Sequence, residues 1–439
     1  MVSVRILCLA LVLGVSSSAL AEDIREIFNL ALTNDPQVKQ ANSAFEAALE
    51  SRRQARANFL PNINLSADTT YNEQNREFGA GSAFGGDENF NSRGFTLSLT
   101  QPVYRHESYI EKRQSDAVIA EAEANLGSAE QSLIVRVAES YFNVLAAEDN
   151  FAFAKSEIEA IARQLEQTNE RFEVGLIAIT DVNEAQASYD LAVADQIEAE
   201  NLRFVTREAL REITNEYHES LSTLIANTPL LSPDPNDIEK WVSVALEENL
   251  SIIAAEFAAE NQRHNIDRIK STLHPTLDLV VSQSTNISGG GSLGGSEIDS
   301  SAIGLQFNYP IYAGGGVFSQ TREAKALYDQ SNQALEQQRR NTVRQVRESY
   351  LGVLASISRV KALQQAEKSS KSALEANEVG LEVGTRTTVD VLDSRRTLFR
   401  AKRDLARARY DYILNTLRLK QAAGTLSPAD IREVNKWLS

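Results

Sequence analysis

Val383-Gly384-Thr385-Arg386-Thr387-Thr388-Val389-Asp390-Val391-Leu392-Asp393 is the stretch on which the reading of this chain turns. Good helix formers flank it on both sides, so it reads as a short turn between two helices. Gly384 lets the backbone leave helical geometry, and β-branched Thr387, Thr388 and Val389 disfavour immediate re-entry. Thr388 precedes the second helix, whose first turn carries Asp390 and Asp393. Carboxylates there are favoured by the helix dipole, and a spacing of three sets both on one face. A similar stretch comes earlier, Val174-Gly175-Leu176-Ile177-Ala178-Ile179-Thr180-Asp181-Val182. Gly175 and Gly384 lie 209 residues apart, as do Asp181 and Asp390. The chain is built on a repeat, and everything else can be placed around the two turns.

The first residues are a targeting segment. Arg5 gives a positive start, Ile6 to Val15 an apolar core, and Ala19-Leu20-Ala21 a small-x-small cleavage site, so residues 1–21 read as a secretory signal peptide. Its apolar core is shorter than the roughly 20 residues that span a bilayer. Cys8, the only cysteine, leaves with it. Disulfides, cysteine catalysis and thiolate metal sites are thereby excluded from the mature chain. The 44 basic and 60 acidic residues include just one charge, Arg5, in that segment, so the mature net charge falls from −16 to −17. Nucleic acid is not a partner for such a surface. No later run suits a membrane helix, so any passage through a bilayer must be by β-strands.

Along the chain, Asp23 to Phe59 reads as helix, interrupted at Asn34-Asp35-Pro36 and ended by Leu60-Pro61. Strands follow at about 62–71 and 94–101, alternating Ile63, Leu65, Ala67 with Asn64, Ser66, Asp68, and then Phe95, Leu97, Leu99. The polar stretch 72–93 between them reads as a long loop. From Val103 to Phe172 almost nothing stops a helix, which at about 1.5 Å per residue approaches 100 Å. Ile158, Ile161, Leu165, Thr168 and Phe172 step as a heptad seam. After the turn at 173–180 a helix runs to about Ile213, and the prolines between Tyr217 and Asp237 mark the halfway point. The second half repeats the order: helix from Ile238 to Thr272, strands at about 276–287 and 300–309, a long helix from about Phe318, the turn at 380–389, and a helix to about Ala423. The repeats are 22–230 and 231–423, followed by a tail at 424–439.

Four strands cannot close a barrel alone, and open strand edges cannot sit in lipid. If these strands cross a membrane, several chains must join to close the wall. The same alternation also fits a small soluble sheet with one buried face.

The residues of both turns, with Tyr141-Phe142-Asn143-Val144-Leu145, His274-Pro275-Thr276-Leu277-Asp278-Leu279 and Tyr309-Pro310-Ile311-Tyr312, resemble the TolC family of outer-membrane channels over Glu22 to about Leu426. The resemblance implies a mixed α and β protein: a homotrimer whose 12-stranded transmembrane β-barrel, four strands per chain, continues into a 12-helix periplasmic α-barrel. A small belt would come from Asn215 to Ile238 and the tail. It implies a passive exit duct in the outer membrane of a Gram-negative bacterium, serving efflux pumps or type I secretion. The implied partners are outer-membrane lipid, a periplasmic adaptor (membrane fusion) protein, and an inner-membrane transporter of the RND, ABC or MFS class. Gly175 and Gly384 would mark the docking tips.

Within this resemblance, Asp390 and Asp393 match an aspartate ring at the periplasmic entrance. Such a ring favours cations, and its crowding should raise some carboxyl pKa values. On the isolated sequence, helix-dipole acids remain the other reading of the same residues. The entrance would be held shut by links pairing Thr180 with Arg386, Asp181 with position 381, Gln164 with Glu378, and Gln167 with Arg409. Position 381 is Leu381 where the family pattern has tyrosine, so Asp181 would pair with Arg386 or be left with a weaker link. No cofactor and no structural metal is implied, beyond cation binding at Asp390 and Asp393.

Gly289-Gly290-Gly291 and Gly314-Gly315-Gly316 lack the Gly-Lys-Ser/Thr of a phosphate loop. The four histidines show no paired ligand spacing, and no nucleophile elbow is present. The sequence offers no case for catalysis. The alternative from another class is a periplasmic coiled-coil structural or adaptor protein without a membrane barrel.

Overall fold

The computed structural model describes residues 21–76, 86–225, 228–290 and 294–439. The segment expected to be a signal peptide, except Ala21, lies outside the described residues. Helices α1 (Ile24–Asn34) and α2 (Pro36–Ala57) lead into strands β1 (Asn62–Arg76) and β2 (Gly86–Tyr104). Helices α3 (His106–Glu173) and α4 (Ile179–Thr214) complete the first half. The second half comprises α5 (Ile238–Glu248), α6 (Leu250–Ser271), β3 (Thr276–Ser288), β4 (Ser296–Asn308), α7 (Gly316–Glu382) and α8 (Thr388–Ala422), with α9 (Pro428–Asn435) in the tail.

Several boundaries differ from the sequence reading: β2 runs on through Pro102 to Tyr104, β4 starts at Ser296, and three more differ for a clear local reason. Of the expected loop 72–93, residues 72–76 and 86–93 are strand, and 77–85 lie outside the described residues. Polar residues there pair in register, Tyr71 with Asn91 and Asn75 with Asp87, because the ladder is made by backbone groups whatever the side chains. The expected helix 238–272 is broken at Asn249, whose side chain accepts from the Ser251 and Ile252 amides and caps α6. Helix α8 begins at Thr388 rather than after it, because Thr387 is its N-cap.

The chain divides into two units. One comprises residues 40–128 and 246–342 and contains the sheet, in the order β1-β2-β3-β4, antiparallel throughout. Directly opposed residues share a face. One face carries Ile63, Leu65 and Ala67 of β1, Phe95, Leu97 and Leu99 of β2, Leu277, Leu279 and Val281 of β3, and Ile303, Leu305 and Phe307 of β4. Most of these side chains are exposed, Leu305 at 68%. Leu65 faces Leu97, the central residue of the next triplet, but Leu97 faces Gln283, four residues beyond Leu279. Leu279 again faces Leu305. The apolar band therefore slides four residues, about 13 Å, across about 14 Å of sheet, which inclines the strands about 40° to the band's normal.

The other unit comprises residues up to 39, 129–245 and 343–439. Its core joins Ile24, Ile27 and Phe28 of α1 with Leu133, Tyr141 and Phe142 of α3, Trp241 of α5, Val346 and Val353 of α7, Tyr412 and Ile413 of α8, and Ile431 of α9. The repeat is visible in chemistry as well as order. Tyr141 donates to the Ser222 carbonyl at 2.8 Å, and Tyr350, 209 residues later, donates to Asn236 Oδ1 at 2.8 Å. Burial pushes the Tyr141 phenol well above its usual range. The segments 215–238 and 424–439 meet through the Leu224–Leu438 bridge, and the chain start joins them through Glu22–Leu221. Asp35, the interruption seen in the sequence, is 1% exposed. It accepts from the Val38 amide at the start of α2 and from Arg136 Nη1 and Nη2, at 2.8 and 2.9 Å.

Candidate functional site: the helical turns and the α3–α8 seam

Both helical turns close in the same way. Gly175 has φ +77° and Gly384 φ +76°. The Leu176 amide donates to the Arg171 carbonyl at 2.9 Å, and the Thr385 amide to the Gly380 carbonyl at 2.8 Å. These are six-residue closures around a left-handed glycine, which satisfy carbonyls that the helix end would otherwise strand. Val174 (71%), Leu176 (74%) and Val383 (68%) stand exposed beside the two glycines.

The turns then diverge. The N-cap of α4 is Ala178, with no side-chain cap, whereas α8 has a reciprocal capping box. The Asp390 amide donates to Thr387 Oγ1 at 3.2 Å, and the Thr387 amide and hydroxyl donate to Asp390 Oδ2 at 2.9 and 3.0 Å. Hydrogen bonds from the Thr387 amide and hydroxyl hold the Asp390 carboxyl below the usual carboxylate range, with Arg386 adding to them. Within one chain this is the opposite of the raised value expected from crowding. Asp393 lies 3.9 Å from Arg396. The Arg386 stem lies over Gly380, where an added Cβ would come within 2.5 Å of its Cγ.

The expected links fare differently. Glu378 is engaged, but by Arg395, whose Nη2 donates to it at 2.7 Å, and not by Gln164. Gln164 is buried, and its carbonyl accepts from Thr168. Arg409 does not reach Gln167. It donates to the Ile225 carbonyl and to Thr228 Oγ1, and it acts electrostatically on Asp149. Gln167 lies eighteen residues beyond Asp149 on α3, about 27 Å along the axis. Leu381 offers Asp181 no polar group, and among the described residues no hydrogen bond or ion pair joins Thr180 or Asp181 to Arg386.

The sequence reading missed the contacts that do cross from α8 to α3. Arg395 Nη1 donates to the Ala160 carbonyl at 2.7 Å. Arg403 Nη1 donates to Glu157 Oε2 at 3.0 Å, and the Tyr410 hydroxyl donates to Asp149 Oδ2 at 2.7 Å. Burial pushes the Glu157 carboxyl up, against the pull of Arg403. Ile161, Ala192 and Leu392 form a small apolar cluster of their own. The available signal was arginine in the heptad seam of α8: Leu392, Arg395, Phe399 and Arg403 step by three, four and four.

The sequence profile of the outer membrane efflux protein family matches residues 27–216 and 241–425, one block in each half. The chain belongs to this family. Over 97% of its length it is 39% identical to the outer membrane protein TolC of Vibrio cholerae serotype O1, covering 96% of that protein. It is 27% identical to the alkaline protease secretion protein AprF of Pseudomonas aeruginosa, over 97% of this chain and 89% of that one. The crystal structure of the CmeC outer membrane channel of Campylobacter jejuni has the same fold, with a TM-score of 0.78 at 18% identity, covering 95% of this chain and 90% of that one. This efflux-family chain is therefore an outer-membrane channel protein of mixed α and β structure with two repeats. A coiled-coil adaptor without a membrane barrel is not favoured.

Proposed function

We propose that three copies of this chain form one passive duct, with the four-stranded sheets closing a twelve-stranded barrel in the outer membrane and the long helices continuing it into the periplasm. The observation that carries this reading is the sheet. Its outer strands β1 and β4 have open edges, and an even antiparallel order lets β4 of one copy pair antiparallel with β1 of the next. The exposed apolar band, inclined about 40° to the strands' perpendicular, fits the 35–45° tilt of membrane barrel strands. A soluble sheet would bury such a face.

In this reading the turns at Gly175 and Gly384 are the periplasmic tips, and their exposed valines and leucine are the surface offered to an adaptor. Asp390 and Asp393 of three copies line the entrance and favour cations. An inner-membrane transporter of the RND, ABC or MFS class, reached through the adaptor, supplies the work. The efflux-family match and the likeness to a protease secretion protein support both export roles. Purified protein in planar bilayers tests the reading: a cation-selective channel supports it, and a protein that never conducts counts against it.

A further inference from the structure

We propose that Arg395 is an intrachain latch that fixes where the α7–α8 hairpin parts from the α3–α4 hairpin when the entrance opens. This rests on the duct reading. Six polar contacts stitch α8 to α3, the one farthest from the tips being Gln421 to Ser132 at 3.3 Å. Arg418 meets Glu139 at 2.6 Å, Arg407 meets Asn143 at 2.8 Å, Tyr410 meets Asp149 at 2.7 Å, Arg403 meets Glu157 at 3.0 Å, and Arg395 meets the Ala160 carbonyl at 2.7 Å. Arg395 is the last of them before the tips. Beyond it, among the described residues, no hydrogen bond or ion pair crosses from α8 to α3. The thirteen residues 161–173 of α3, about 20 Å of helix, have no such stitch.

The chemistry suits a latch. The Arg395 side chain is 12% exposed and its fork is divided, one nitrogen on α3 and the other on Glu378 of α7. A planar guanidinium holds two such partners in fixed directions, which lysine cannot do. Next to it, Leu392 fills the small cluster with Ile161 and Ala192. Swinging α8 away from α3 at this level must break the Ala160 bond and withdraw Leu392 together. The stitches at Arg403, Tyr410, Arg407 and Arg418 stay closed, so the hairpins part at the tips and stay joined above.

The test uses the full-length protein, extracted from the membrane, with two readouts. One is bilayer conductance. The other is the distance between spin labels on Val174→Cys and Val383→Cys, which the cysteine-free mature chain permits. Arg395→Ala and Arg395→Gln should raise the open fraction about tenfold, equivalent to about 1.4 kcal/mol, and lengthen the label distance. Glu378→Gln should move both in the same direction by less. Arg418→Ala, near the far end of the seam, should move neither. Wild-type readings from both Arg395 variants would overturn the latch, and so would Arg418→Ala acting as strongly as they do. Wild-type protein that forms no channel would overturn the duct reading instead, while the label distances still decide the latch.

Discussion

Leu305 and Gln306 are neighbours on β4 that point to opposite faces of the sheet, and they give the duct its sharpest mutational test. Leu305 is the middle residue of the Ile303–Leu305–Phe307 triplet and faces Leu279, the middle of the β3 triplet. At the centre of a membrane barrel's lipid face an arginine costs about 2–4 kcal/mol, falling to about 0–1 near the interfaces. Three copies per barrel make Leu305→Arg worth about 6–12 kcal/mol of assembly, comparable with the whole stability of a typical domain. Gln306→Arg puts the same charge on the opposite, polar face and should cost little. The assay is the yield of heat-modifiable oligomer in the outer-membrane fraction, read on unheated gels. Leu305→Arg should nearly abolish it, and Gln306→Arg should leave it within about twofold. If the face met water instead of lipid, Leu305, 68% exposed in the single chain, would stay solvated and an arginine there would be harmless. Equal yields from the two variants would refute the lipid-facing assignment and the strand tilt built on it.

Other consequences follow from the same contacts. Asp35→Asn leaves the partly buried Arg136 without its charged partner and should destabilise the protein by about 2–3 kcal/mol in thermal or denaturant unfolding, while Asp35→Leu with Arg136→Met should recover much of the loss. Burial pushes the Asp35 carboxyl up, but Arg136 and the Val38 amide outweigh it and hold it low. Its contribution is therefore present above the ordinary aspartate value near pH 4 and is lost only as pH falls through the lower folded value, a loss that Asp35→Asn should not show. Asp390→Ala with Asp393→Ala should weaken cation selectivity and block by polyvalent cations in bilayers. Thr387→Ala removes the hydroxyl bond to Asp390 and leaves the amide's, so polyvalent block should fail at a modestly higher pH than in wild type. Gly384→Ala forces a side chain into left-handed backbone at φ +76°, at a cost of about 1–2 kcal/mol that proteolysis of the turn should register.

Much of the architecture was legible because its causes are local. Gly175 and Gly384 mark turns by their backbone freedom alone, and the 209-residue offset shows that both halves use the same device. The strands were legible where apolar residues alternate, as from Ile63 to Ala67. They were missed where polar residues continue the ladder, because backbone hydrogen bonds leave no trace in side-chain hydropathy. The capping box was written in Thr387-x-x-Asp390, but the adjacent Thr388 offered a competing start. The contacts across α3 and α8 were not legible at the same level. Arg409 and Arg395 are chemically equivalent and fourteen residues apart, and only their heights on the packed helices decide which one meets the tip region. Arg395 therefore took Glu378, and Arg409 went to Ile225 and Thr228. The drift of the apolar band likewise needs the β2–β3 register, which joins the two halves of the chain and cannot be read from either alone.

The most direct measurement is the mass of the species that mild detergent extracts from purified outer membranes, taken with an unheated gel of the same sample. The account predicts a trimer near three times the mature chain mass, collapsing to monomer on heating. A monomer or dimer recovered from the soluble periplasmic fraction would contradict it.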